Sequence, residues 1–310
     1  MARILVTGAG GFIGRGLCPT LAARGHAVVA GLRRAASVEG AEPLVLGDIG
    51  PTTDWARALD EVDIVIHLAQ RAHAGPDPAA LVAEPATVSS LARAMAMAGA
   101  RRLILVSSIK AMAEGTARGR PLRPDDEPRP EDDYGRTKLA SERAARAAAA
   151  DGGIEFVVIR PPLVYGFGVK ANFAALIRLA ASGLPLPFGA LDNRRSLIFR
   201  DNLVDLLAIA ATHEAATGMT LLARDDADFS TPDLIRSLAD GLGSRARLFP
   251  VPAALFAALG PLPVIGPLLS RLTGSLQVDD SATRAVLGWA PPVPAAAALR
   301  ETARAFAAGL

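Results

Sequence analysis

Residues 4–14 read Ile-Leu-Val-Thr-Gly-Ala-Gly-Gly-Phe-Ile-Gly, an apolar run that breaks into glycines and then into a helical pattern. No other stretch limits the fold as tightly. A strand that ends in a glycine turn and continues as a helix begins a strand–helix–strand unit, and such units build parallel sheets. The glycines permit a tight turn, close backbone approach to a pyrophosphate, and close packing of helix on strand. The start of the helix then offers unpaired N–H groups and a positive dipole end to phosphate. No Gly-Lys-Ser/Thr follows, which excludes a P-loop kinase.

The alternation continues along the chain. Strands are expected at 3–7, 27–31, 44–46, 64–67, 103–107 and 156–160, with helices at 12–24, 55–59, 86–98 and 137–150. Strands apolar throughout and separated by helices imply a parallel sheet covered on both faces, an α/β doubly wound (Rossmann) architecture. Residues 118–133, dense in proline and charge, read as a surface loop. Beyond Arg160 the pattern weakens. A helix is expected at 172–182, a strand at 196–199, a helix at 202–212 and a strand at 220–222. Thr231-Pro232-Asp233 then opens a further helix, with threonine as its cap. The expected division is a nucleotide-binding domain of 1–165 plus about 192–225, and a smaller substrate lobe of about 166–191 plus 226–310.

Hydrophobic residues make up 51% of the chain and charged residues 21%, which excludes an intrinsically disordered protein. A net charge of +2 without a basic stripe gives no nucleic-acid footprint. Cys18 is the lone cysteine, and His26, His67, His73 and His213 lack paired spacing, so neither a disulfide framework nor a metal site is expected. No leader pattern opens the sequence, so a cytoplasmic protein is expected. Residues 248–270 carry no charge, yet Pro250, Pro252, Pro261, Pro263 and Pro267 interrupt them. Internal prolines strip helix hydrogen bonds that hydrocarbon cannot replace, so short helices and turns are expected there, not a transmembrane segment.

The glycine spacing is Gly8-x-x-Gly11-x-x-Gly14, and with it the chain resembles the extended short-chain dehydrogenase/reductases that act on nucleotide sugars. Further matches span most of the chain. Gly47-Asp48-Ile49 follows the third strand, where the family's aspartate contacts adenine, and His67-Leu68-Ala69 is similar to its His-x-Ala-Ala signature, with Gln70 departing. Arg160-Pro161-Pro162-Leu163-Val164-Tyr165-Gly166 resembles the strand and turn that pass the nicotinamide. The resemblance thus implies cofactor contacts from Gly8, Gly11, Phe12, Ile13, Gly14, Asp48, Ile49, Leu68, Ala69, Pro161 and Leu163. The plainer alternatives are a strand-end cap for Asp48 and a packed core histidine for His67. An acid after the second strand would hold the ribose 2′-OH of NAD, but the chain reads Leu32-Arg33-Arg34 there. NADP is therefore expected, with NAD as the alternative and Arg33 and Arg34 facing the 2′-phosphate; a solvated basic turn is the competing explanation.

Tyr134-Gly135-Arg136-Thr137-Lys138 puts a phenol and an ammonium on one helix face. A phenol of pKa about 10 is a poor acid/base at neutral pH unless a cation stabilises its phenolate, and Lys138 supplies one. The family's lysine also binds the nicotinamide ribose. Aligned with the family's Ser-Ser-Ile stretch, Ser108 is the catalytic hydroxyl and Ser107 a structural one. Family dehydratases follow that hydroxyl with Asp-Glu; Ile109-Lys110 stand here, which disfavours 4,6-dehydration. The family's structural asparagine is replaced by Ala83.

The resemblance further implies that Asn172 and Arg195 contact the diphosphate of a nucleotide-diphosphate sugar, a fork that suits phosphate; a surface ion pair is the alternative for Arg195. The later Arg-Pro-Gly-Asp motif is absent. The leading expectation is an NADP-dependent oxidoreductase acting on a 4-keto nucleotide sugar, with Ser108, Tyr134 and Lys138 as its triad. A UDP-sugar 4-epimerase with tightly held NAD, a hydroxysteroid dehydrogenase relative and a cofactor-sensing regulator are the alternatives. A homodimer through helices 86–98 and 137–150 is also implied.

Overall fold

The computed structural model describes residues 1–69, 78–259 and 266–309. Gln70, His73 and the middle of the apolar stretch, 260–265, lie outside the described residues. The first half builds β1 (Arg3–Thr7), α1 (Gly14–Ala23), β2 (Ala27–Leu32), β3 (Glu42–Val45), β4 (Ile64–His67), α2 (Pro78–Ala98), β5 (Arg102–Val106), α3 (Asp133–Asp151) and β6 (Glu155–Arg160). The second half adds β7 (Leu163–Tyr165), α4 (Ala171–Ala181), β8 (Leu197–Phe199), α5 (Arg200–Thr212), β9 (Thr220–Leu222), α6 (Thr231–Gly241), α7 (Ala253–Leu259), α8 (Gly266–Thr273), α9 (Ser281–Leu287) and α10 (Ala295–Ala307).

A seven-stranded sheet in the order β3-β2-β1-β4-β5-β6-β9 is parallel throughout. Alternate side chains of each strand feed opposite faces. Ile4, Val6, Ile64, Ile66 and Ile104 pack with α1 and α5, while Leu5, Val65, Leu103 and Leu105 pack with α2 and α3. Burial on both faces is why these strands read as unbroken apolar runs. The strand order reverses between β1 and β4, the place where ligands bind in open α/β sheets.

Several boundaries depart from the sequence reading. The helix expected at 12–24 starts at Gly14, because residues 8–13 form the turn. The helix expected at 86–98 begins earlier, at Pro78, so that Pro85 sits inside α2. Packing against α3 outweighs the hydrogen bond that an internal proline removes. The helix expected at 55–59 is a single 3₁₀ turn, Ala56–Ala58, and the third strand starts earlier than expected, at Glu42. Ser107 falls just beyond β5. The strand expected at 196–199 does not join the main sheet; β8 pairs with β7 in a separate two-stranded parallel sheet. The cap of α6 is Ser230, whose hydroxyl accepts from the amide of Asp233, and not Thr231. Within 248–270, α7 and the start of α8 are short helices, and no helix among the described residues is long and apolar enough to cross a membrane.

A buried polar cluster ties the second half together. The fully buried Asp225 carboxylate accepts from Tyr165 Oη at 2.7 Å, from Asn202 Nδ2 at 2.8 Å and from the amide of Phe199. Asn202 also bonds both backbone groups of Val293, at 2.8 and 2.9 Å. Burial raises the Asp225 carboxyl above its usual range, and these donors oppose the rise.

Candidate active site

Sheet register fixes which chain ends meet. Thr7 lies opposite both Gly31 and His67, His67 opposite Leu105, and Val106 opposite Ile159. The segments beginning at Gly8, Leu68, Ser107 and Arg160 therefore emerge side by side on the carboxyl edge.

The glycine turn is pressed onto its neighbours. Gly8 has φ +71°, and a Cβ there would sit 2.9 Å from the amide nitrogen of Ala69. A Cβ on Gly14 would meet Ala9 at 2.6 Å, and one on Gly11 the Gly8 carbonyl at 3.0 Å. The amides of Gly8 and Ala9 both donate to the Gly31 carbonyl, which holds the turn on the end of β2. Ile13, preceding α1, supplies no side-chain cap to the first-turn amides of that helix. A cradle with these features fits a dinucleotide pyrophosphate. Phe12 is half-buried beneath the Arg200 guanidinium, 5.7 Å from its ring centroid.

Around this cradle, Leu68 and Ala69 follow β4, their amides donating to the Thr7 carbonyl and hydroxyl at 3.2 and 3.4 Å. Ile49 is half-buried against the second core cluster. Arg33 and Arg34 are exposed past the end of β2, and the Nε of Arg33 lies 2.8 Å from Asp48 Oδ1. The residues expected at the 2′-phosphate and at the adenine thus face each other. Pro161 is buried, its carbonyl accepting from Ile109, while Leu163 is partly exposed.

Ser108, Tyr134 and Lys138 converge. The Ser108 hydroxyl faces the Tyr134 phenol closely enough to favour its ionised form, and the Lys138 ammonium sits 5.1 Å from the Tyr134 ring centroid. Ser108 Oγ also accepts from the amide of Lys110 at 3.2 Å, which fixes the turn after β5. Asp132 caps α3 by accepting from Gly135 at 2.7 Å, so that Tyr134 falls in the first turn. Close approach comes from Gly135: a Cβ there would lie 2.3 Å from the Lys110 carbonyl oxygen. Burial pushes the phenol up to about 12, the nearby Glu84 charge adds to that rise, and the Ser108 hydrogen bond opposes it. Burial pushes the Lys138 ammonium down, opposed by Glu84, whose Oε1 is 2.7 Å from Nζ.

His67 is fully buried with Nδ1 2.9 Å from Thr7 Oγ1, and burial together with the Lys138 charge pushes it down to about 3. It is therefore neutral at pH 7. Ser107 donates to the buried Glu142, which also pairs with the Arg160 guanidinium, 2.5 Å from Nη2. On the far side, Arg195 Nη1 donates to the carbonyls of Arg271 and Gly274, both at 3.0 Å, and Asn172 Oδ1 accepts from Arg271 Nη1 at 3.4 Å. Burial lowers the Arg195 guanidinium, and the charge of Glu114 opposes this.

Sequence reasoning missed three features. Glu84 sits beside Ala83, the position expected to carry the family asparagine, yet lies 54 residues from its partner Lys138. The Lys110 ammonium bridges Glu114 and Asp132, each at 2.7 Å. Arg271 joins Arg195 and Asn172 from a distant segment. The helix expected at 137–150 begins earlier, at Asp133, and no sequence pattern linked any of these partners. Among the described residues, no three His, Cys, Asp or Glu side chains form a metal-holding group.

Known proteins resemble this chain along most of its length. Residues 4–221 match the model of the NAD dependent epimerase/dehydratase family. The chain is 40% identical to a UDP-glucose 4-epimerase of Vibrio cholerae, covering 98% of this chain and 95% of the relative. It is 30% identical to a 3-diazoavenalumate denitrifying reductase of a Streptomyces species, covering 94% of this chain and 97% of that one. A solved structure, MoeE5 in complex with UDP-glucuronic acid and NAD, superposes with a TM-score of 0.78 at 26% identity over 99% of this chain and all of that one. The chain belongs to the NAD-dependent epimerase/dehydratase family, enzymes of the extended short-chain dehydrogenase/reductase type.

Proposed function

We propose that the chain interconverts C4 epimers of a UDP-sugar with a dinucleotide held on the glycine turn. The observation that carries this reading is the convergence of Ser108, Tyr134 and Lys138 at the edge where that turn opens. Whole-length likeness to the Vibrio cholerae enzyme favours epimerisation over net reduction. Gly8, Gly11, Phe12, Ile13 and Gly14 would hold the pyrophosphate, Asp48 and Ile49 the adenine, and Leu68, Ala69, Pro161, Leu163 and Lys138 the nicotinamide half. A nicotinamide bound there would supply the acceptor and donor for the hydride of sugar carbon 4.

Tyr134 removes the proton of the 4-hydroxyl as that carbon is oxidised and gives it back on reduction, while Ser108 orients the oxygen. The Lys138 charge lowers the cost of the phenolate that must be present to take this proton, and Tyr134 is a neutral phenol until it gives the proton back. Inverting carbon 4 requires the ring to present its other face, so binding must lie away from the ring. Arg195 and Asn172, with Arg271, meet that need by holding the diphosphate. Ile109 and Lys110 after Ser108 offer no acid pair for dehydration.

One observation favours a second reading, an NADPH-dependent 4-ketoreductase: Arg33 and Arg34 stand where an acid would hold the ribose of NAD. The purified enzyme is tested with UDP-glucose or UDP-galactose and no added cofactor, then with UDP- and dTDP-4-keto sugars and NADPH. Interconversion with tightly held NAD supports the epimerase, and stoichiometric NADPH loss supports the reductase. Activity on neither class, with turnover of a steroid alcohol, overturns both. The family resemblance also carries a homodimer through α2 and α3, where Val82 and Met97 are exposed; light scattering tests it.

A further inference from the structure

We propose that Glu84 is a positioning residue of the candidate site, the counter-ion that holds the Lys138 ammonium against Tyr134. This rests on the Ser108–Tyr134–Lys138 reading above. Glu84 reaches in from α2, whereas Tyr134 and Lys138 share α3, so the ion pair pins the phenol-bearing helix to its neighbour at the site itself. Its Oε1 lies 2.7 Å from Lys138 Nζ, and the two side chains are only 11% and 1% exposed.

An ammonium that deeply buried sheds its proton unless a carboxylate compensates for lost hydration. Among the described residues, the other charged groups facing Lys138 do not replace Glu84. Glu142, one turn further along α3, is committed to the Arg160 guanidinium and the Ser107 hydroxyl. His67, from β4, is neutral and adds no negative charge. Glu84 therefore sustains the cation that the phenolate needs. Its own negative charge also reaches Tyr134, alongside that of Asp132, and opposes ionisation of the phenol. The two effects oppose each other at Tyr134: the sustained ammonium favours the phenolate, and the carboxylate's own charge disfavours it. Ala83, beside it, has no polar side chain to share the task.

The chain's lysines are Lys110, Lys138 and Lys170, so ¹³Cε-lysine labelling yields a spectrum simple enough to follow one ammonium. Lys138 is assigned by its loss in Lys138→Arg. In Glu84→Gln, which keeps shape and polarity but drops the charge, the Lys138 titration midpoint is expected to fall by about one pH unit or more, a tenfold loss of proton affinity. The upper limb of the kcat–pH profile should move down with it, while Glu84→Asp recovers most, though not all, of both. Should Glu84→Gln fold poorly by circular dichroism, the same midpoint is read in Glu84→Asp, where a weakened pair still predicts a smaller downward shift. An unmoved Lys138 midpoint in a folded variant overturns the proposal. Because the lysine signal needs no substrate, failure to turn over UDP-sugars would refute the functional reading and leave this test intact.

Discussion

Replacing Gly135 by alanine should separate Tyr134 from Ser108 without touching either. The added methyl would lie 2.3 Å from the Lys110 carbonyl oxygen, whereas ordinary contact begins near 3.4 Å, so about 1 Å must be found by moving α3 or the turn at 108–111. Backbone is the obstacle, and it cannot swing aside as a side chain could. Alanine should gain up to about 1 kcal/mol of helix propensity over glycine, less in a first turn. Forcing extra volume into a packed contact costs about 1–3 kcal/mol, so the balance is destabilising. At about 2–4 °C per kcal/mol for a large domain, Tm should drop by several degrees. The functional loss should be larger in proportion, because about 1 Å of misplacement can cost about 10²-fold in rate. Calorimetry, kcat on the UDP-sugar and the Kd of the dinucleotide are measured together. The expected pattern is a lower Tm, a kcat reduced about 10²-fold and a nearly unchanged Kd. Equal or higher Tm with full activity would refute the close-approach argument.

Tyr134→Phe should lower kcat by about 10²–10⁴ with cofactor affinity retained, since it removes only the proton-transfer group; full activity excludes the phenol from the chemistry. His67 titrates near 6.5 when unfolded but only at about 3 when folded, so its contribution to stability is complete above pH 6.5 and is lost as pH falls through that window. Denaturant midpoints should record a loss of about 2 kcal/mol between pH 6.5 and 5, absent in His67→Gln; parallel slopes in both proteins would sink this. Arg33→Ala should weaken NADPH about 10- to 150-fold and spare NADH, as loss of a charged hydrogen bond to phosphate predicts; equal losses would refute the 2′-phosphate role. The Arg33–Asp48 pair is exposed, so the same change should leave Tm within about a degree.

The parts legible in the sequence were those carried by short-range pattern. Strands Arg3–Thr7, Ile64–His67 and Thr220–Leu222 were bounded correctly because their apolar runs begin and end at charges, glycines or turns. Tyr134 and Lys138 were legible through i, i+4 spacing and Ser108 through the family resemblance, and the structure sets the Lys138 ammonium 5.1 Å from the Tyr134 ring centroid. Partners set by tertiary packing were not. The first two turns of α2, and with them Glu84, lay outside the helix expected at 86–98, and Pro85 sits inside the helix that forms. Leu197–Phe199 was assigned to the main sheet because a three-residue apolar strand says nothing about which strand it will meet. Arg195 suggested a phosphate fork, but its bonds to the carbonyls of Arg271 and Gly274 depend on a segment some 80 residues away.

The Asp225 cluster also bears on how the second half comes apart. Tyr165, Phe199, Asn202 and Val293 come from β7, β8, α5 and the approach to α10, and each contributes to a knot around one buried carboxylate. Pulling any one of these elements away would leave several of those groups unpaired away from water, each at about 1–3 kcal/mol. Local opening there is costly, so the four elements are expected to be lost together on unfolding, with slow and uniform amide exchange across them.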